Sequence, residues 1–169
     1  MNKKIILGLL ATLLLIGGGV YLFSKKDSAP PDSTLGVIDS SEVTVTPETY
    51  DIGKVIMKGG LIEREYEIKN TSKNTLRIKK IVTSCMCTKA SVWFGDRKTR
   101  FYAMEMSGDK NPNINFDIPG ESTAKLVVRF DPAAHGPAGK GPVDRSVWVT
   151  FADPAGTKEV RFFGEVVLQ

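Results

Sequence analysis

From Glu42 onward the chain alternates apolar and polar residues with a period of two, and that pattern restricts it to β-structure. In the run Ala124-Lys-Leu-Val-Val-Arg-Phe130, one face collects Ala124, Leu126, Val128 and Phe130, while Lys125 and Arg129 point away. Val147, Val149 and Phe151 share a face in a later run, and Val160, Phe162, Val166 and Leu168 do so in the last, with Gly164 between them. Residues 62–69 set Ile62, Tyr66 and Ile68 against Glu63, Glu65, Glu67 and Lys69, an acidic stripe that reads as a solvated strand face. Another strand opens at Leu76 and Ile78, and its phase slips at Lys80-Ile81, as a bulge produces. Turn formers separate these runs at residues 70–74, at Pro119-Gly120 and at residues 153–156. No stretch after residue 42 keeps helical periodicity over three turns. Seven to nine short strands in roughly 125 residues predict an all-β domain, an immunoglobulin-like antiparallel β-sandwich over residues 42–169.

The N-terminus follows a different rule. Ile5 to Phe23 is a run of 19 residues without a charge. As a helix it would extend roughly 28 Å, enough to cross the core of a bilayer. A cleaved signal peptide would end its apolar core sooner, whereas Val20, Tyr21, Leu22 and Phe23 carry this one past the small residues Gly17 and Gly19. The expectation is a retained single-pass anchor. Residues 1–4 form a cytoplasmic tail, residues 5–23 a transmembrane helix in contact with the lipid bilayer, and residues 24–41 a flexible tether rich in Ser, Asp and Pro. The body, 42–169, is then extracytoplasmic.

Charge narrows the partner class. The chain holds 23 basic and 19 acidic residues, but Lys3, Lys4, Lys25 and Lys26 flank the apolar run, so the body is neutral. A nucleic-acid partner needs a basic face to displace counterions, and none is expected here.

Tyr50-Asp51-Ile52-Gly53, the strand end Tyr66 to Ser72 and Ser84-Cys85-Met86-Cys87-Thr88 resemble, in order, the motifs of a bacterial immunoglobulin-like family of unknown function found in envelope proteins, akin to the major-sperm-protein, ASH and hydin type domains. Residues 50–55 (YDIGKV) are similar to its opening aromatic-Asp-Phe-Gly motif, with Ile52 where Phe is usual. Tyr66 to Ser72 resembles its strand ending in Asn-x-Gly/Ser, and Ser84-Cys85-Met86-Cys87-Thr88 its Ser-Cys-x-Cys-Thr motif. Ile118-Pro119-Gly120, Phe130-Asp131-Pro132, His135-Gly136 and the closing Gly164-Glu165-Val166 follow in order. The resemblance implies a fold and an envelope location, not an activity.

Chemistry-bearing residues are few. One His, two Cys, no Gly-x-Ser-x-Gly elbow, no P-loop and no dinucleotide fingerprint argue against an enzyme. Cys85 and Cys87 are two apart, so on an extended strand they would share a face with Cβ atoms about 6–7 Å apart. A disulfide needs about 3.5–4.5 Å, hence a bend at Met86. Three readings stand: a disulfide or structural thiols, a soft-metal site, and thiol exchange. For metal, copper(I) fits best, because it prefers sulfur and accepts imidazole. The further ligands would be His135, in a Gly- and Pro-rich loop from Asp131 to Asp144, and Met104 and Met106 in a long insertion. The bland alternative places both methionines in the core. The function expected overall is a non-catalytic binding or scaffold module without a cofactor, recruiting an envelope protein partner through loops or strand edges. A copper(I) protein is the alternative.

Overall fold

A computed structural model describes residues 42–153 and 155–168. Ten strands appear among them: β1 (Val43–Thr46), β2 (Thr49–Ile56), β3 (Ile62–Asn70), β4 (Leu76–Thr83), β5 (Thr88–Phe94), β6 (Arg97–Lys98), β7 (Phe116–Ile118), β8 (Thr123–Phe130), β9 (Gly141–Asp153) and β10 (Ala155–Val167). Among the described residues the helix present is one 3-10 turn, Gly136–Gly139. Among the described residues no helix is long and apolar enough to cross a membrane. The anchor and tether expected over residues 5–41 lie outside the described residues.

The strands form two five-stranded sheets, ordered β1-β3-β8-β5-β6 and β2-β10-β9-β4-β7. Their inner faces are the ones the alternation marks. Tyr66, Ile68, Leu126, Val147, Val149, Phe151, Val160 and Phe162 are buried in a single core. Ile78 pairs with Phe151 and Lys80 with Thr150, so one β4 residue is skipped where the phase slips. The acidic stripe is solvated and also paired: Arg129 meets Glu63 at 2.6 Å and Lys125 meets Glu65 at 2.7 Å across the β3–β8 ladder.

Two expectations need correction. The sandwich is not wholly antiparallel, because β2 pairs β10 in parallel. These strands are far apart in sequence and each ends its own excursion, so no hairpin constrains their direction. Leu168 lies beyond the end of β10 and is 44% exposed, not on the inner face.

The β2–β10 edge explains two glycines. Asp51 opposes Phe163 and Gly53 opposes Gly164, so Ile52 is an extra residue, a bulge. Gly53 takes φ 65°, a left-handed conformation that side chains disfavour, and its N–H donates to Asp51 Oδ1 at 2.7 Å. A Cβ on Gly164 would lie 2.5 Å from Gly53 O and 2.6 Å from Ile52 Cγ1. The bulge turns Ile52 inward, to 8% exposure, while blunting the longest edge strand.

Because consecutive strands keep changing sheet, loops cross the sandwich at its two ends. At one end Asn70, 1% exposed, donates through Nδ2 to the carbonyls of Asn74, Ile118 and Pro119. It thereby ties the β3–β4 crossing to the β7–β8 crossing. At the other end three crossings meet, β2–β3, β4–β5 and β8–β9, and the distinctive chemistry lies there.

Candidate functional site

The β4–β5 crossing is the Cys-Met-Cys segment. Thr83, last in β4 and buried, shares its Oγ1–H between the carbonyls of Cys85 at 2.9 Å and Thr88 at 3.0 Å. The Thr88 N–H closes a turn on Cys85 O at 3.0 Å. The backbone therefore bends at Met86, and Cys85 and Cys87 form a disulfide with Cα atoms 5.2 Å apart. The extended spacing that would have kept the sulfurs apart is absent, because the chain must reverse here to change sheets.

The two sulfurs have unlike surroundings. Cys87 is 3% exposed, whereas Cys85 is half-buried and Met86 between them is 54% exposed. Arg145, from β9, donates through Nε to Cys87 Sγ at 3.3 Å, and Thr88 Oγ1 lies 3.7 Å from the same atom. Cys85 Sγ contacts His135 Nε2 at 3.1 Å.

His135 reaches that position because its loop is folded locally. Asp131 N donates to Cys87 O at 2.9 Å, pinning the loop to the turn, and Asp131 Oδ1 accepts the Ala133 N–H at 2.9 Å. The imidazole is exposed, at the start of the 3-10 turn. Cys85 Sγ, Cys87 Sγ and a His135 ring nitrogen all lie within 4.8 Å of one another, so a reduced pair would offer three soft or borderline ligands.

The methionines do not join this cluster through any described hydrogen bond. Their segment is held beside the middle of β4: Glu105 accepts from Lys80 at 2.8 Å, and Asn111 Nδ2 donates to the carbonyls of Ile81 and Ala103. Burial pushes the Glu105 carboxyl up, but hydrogen bonds from Lys80 and the Asn111 amide, with the charges of Lys80 and Lys110, outweigh it and leave the group below its usual range. Met106 is 53% exposed and Met104 half-buried, so neither is a core residue.

Beside the turn a groove of about 320 Å³ is lined by Leu61, Met86, Cys87, Phe101 and Ala134, with Lys89, Arg129 and Asp131 around them. Leu61, in the β2–β3 crossing, is 64% exposed. Arg129 Cζ lies 4.0 Å from the centroid of the Phe101 ring. Sequence patterning flagged neither Leu61 nor Arg145. Arg145 carries no local signal at all, since its role comes from a contact with a residue 58 positions away.

A family described as a protein of unknown function, DUF1573, matches residues 43–96, about a third of the chain, from β1 through β5 and including the cysteine turn. The motifs noted after residue 96 lie outside that stretch. No curated protein matches the chain. Among solved structures, a protein of unknown function from Porphyromonas gingivalis W83 aligns at TM-score 0.53 and 17% identity, over 73% of this chain and 46% of that one. A family 123 glycoside hydrolase from Clostridium perfringens aligns at TM-score 0.51 and 9% identity, over 72% of this chain and 23% of the hydrolase. WR4, a C. elegans MSP family member, aligns at TM-score 0.41 and 11% identity over 76% of this chain and all of its own, too distant to bear on the fold. The chain thus spans less than half the length of the first two, and what it shares with them is a β-sandwich fold.

Proposed function

We propose that the chain is a membrane-anchored, extracytoplasmic β-sandwich module that binds a protein partner without catalysing a reaction on it. The observation that carries this reading is the groove at the crossing end. Large apolar side chains, Leu61 and Met86, stand in solvent on its rim where a lone monomer gains nothing from exposing them. At about 320 Å³ it is small for a ligand cleft and suits an apolar side chain presented by another protein. The anchor rests on the uncharged run from Ile5 to Phe23 and the polar tether after it.

A photo-crosslinking residue placed at Leu61 in the full chain, in its own membranes, tests the partner reading. A discrete adduct is expected there and not at the exposed Lys54 of β2; equal labelling at both sites would count against it. A reporter active only in the cytoplasm, fused after Gln169, should stay silent. Strong activity would reverse the topology.

A second reading is soft-metal binding, favoured by the convergence of Cys85, Cys87 and His135. It requires the pair to be reduced, since only thiolates are strong ligands. Copper(I) added to reduced protein without oxygen should then be retained at one equivalent, lost in Cys87→Ser and weakened in His135→Ala. No retention by the reduced protein would end this reading.

A further inference from the structure

We infer that the Cys85–Cys87 disulfide is a reactive group with a built-in direction: an incoming thiolate attacks Cys85 Sγ, and Cys87 leaves as a thiolate stabilised by Arg145. This goes beyond the partner-binding reading and does not depend on it.

Stability is a weak reason for such a bond. Closing a ring of three residues removes only about half the chain entropy that a 15-residue loop would, so its effect on the fold is small. Yet the surroundings are specific. Exchange requires an approaching sulfur to reach one atom of the disulfide, and the partly exposed Cys85 is the accessible one beside the exposed Met86. Cys87 is only 3% exposed, although it forms part of the groove wall, and its Sγ is the atom that receives the Arg145 Nε–H at 3.3 Å. A guanidinium there lowers the cost of the negative charge that develops on a departing sulfur. The residue arrangement is therefore asymmetric in the sense that exchange needs: the less buried cysteine at the attacked sulfur, beside the exposed His135 ring 3.1 Å away, and a cation at the leaving one.

The step balances without an external oxidant. The reacting partner is a dithiol. Its first thiolate forms a bond to Cys85 Sγ as the Cys85–Cys87 bond breaks, and the electron pair goes to Cys87 Sγ. The partner's second thiolate then displaces Cys85 from the mixed disulfide. The dithiol ends oxidised and the pair reduced by two electrons. A monothiol performs only the first half in one encounter, and Cys87 can return to expel it.

The test uses the folded full chain in detergent micelles. Dithiothreitol should reduce the pair without denaturant, as counted by alkylation and mass spectrometry. Glutathione, with rapid alkylation of the released thiol, should leave a mixed disulfide on Cys85 and none on Cys87. In single variants challenged with oxidised glutathione, Cys87→Ser, which keeps Cys85, should form the adduct at least about tenfold faster than Cys85→Ser, because exposure governs access. Arg145→Leu should slow reduction by dithiothreitol by about tenfold, and Arg145→Lys should restore part of the rate by retaining a cation. A merely structural Arg145 would shift the denaturation midpoint and leave the rate alone. Three results would overturn the inference: a pair that resists dithiothreitol until the protein is unfolded, an adduct on Cys87, or a faster Cys85→Ser variant. The two cysteine variants decide the direction even if Arg145→Leu fails to fold.

Discussion

Arg145 on β9 donates from Nε to Cys87 Sγ at 3.3 Å, so the strand that follows the His135 loop also holds the second sulfur of the turn joining the two sheets. The β4–β5 crossing is thus tied to β9 through one side chain. The Asp131 N–H to Cys87 O bond ties it to the β8–β9 crossing through backbone. This double attachment leaves the fold little dependent on the disulfide itself.

The double variant Cys85→Ser/Cys87→Ser should therefore fold. Its loss of stability should not exceed about 1.5 kcal/mol, the entropy estimate for so short a loop. The midpoint of a urea titration measures it. A loss above about 4 kcal/mol would make the bond a structural staple.

Asn70→Ala should cost more than the disulfide does. Asn70 is buried and its amide satisfies carbonyls in two crossings at the opposite end, which alanine would strand away from water. A loss of about 2–4 kcal/mol follows from leaving such acceptors unpaired. The same urea titration reads it, and a change under about 0.5 kcal/mol would show that water replaces the amide.

Gly164→Ala tests the bulge. The new methyl would meet Gly53 O and Ile52 Cγ1 inside contact distance, so β2 must move or lose its pairing with β10. We expect a loss of at least about 2 kcal/mol. Amide exchange should show faster opening along Thr49–Ile56 than along the β9–β10 hairpin.

Glu105→Gln should weaken the insertion that carries Met104 and Met106. The folded carboxyl lies below its ordinary value of 4.5, so its contribution is present above that pH and is lost as the pH falls through the folded value. Wild type and variant should differ by about 1 kcal/mol near pH 7 and converge in acid. Parallel thermal melts between pH 3 and pH 7 measure the difference; a constant gap would assign it to packing.

The strands and their inward faces were legible in the sequence because side-chain direction alternates with every residue of an extended backbone. Tyr66, Leu126, Val149 and Phe162 are buried for that local reason. The slip at Lys80-Ile81 was legible too, since an extra residue reverses the phase beyond it. The turn formers Asn70, Asp131 and Gly120 likewise marked the ends of strands. What the alternation does not carry is the order in which strands enter the two sheets. That order makes β2 run parallel to β10 and brings three crossings to one end. The contact of Cys85 with His135, 50 residues away, follows from it, as does that of Cys87 with Arg145. The same order sets the Met104–Met106 segment beside β4, where Lys80 and Ile81 anchor it. Local periodicity is a property of each strand alone, whereas the meeting of loops depends on how all the strands share one core, and only the tertiary structure decides that.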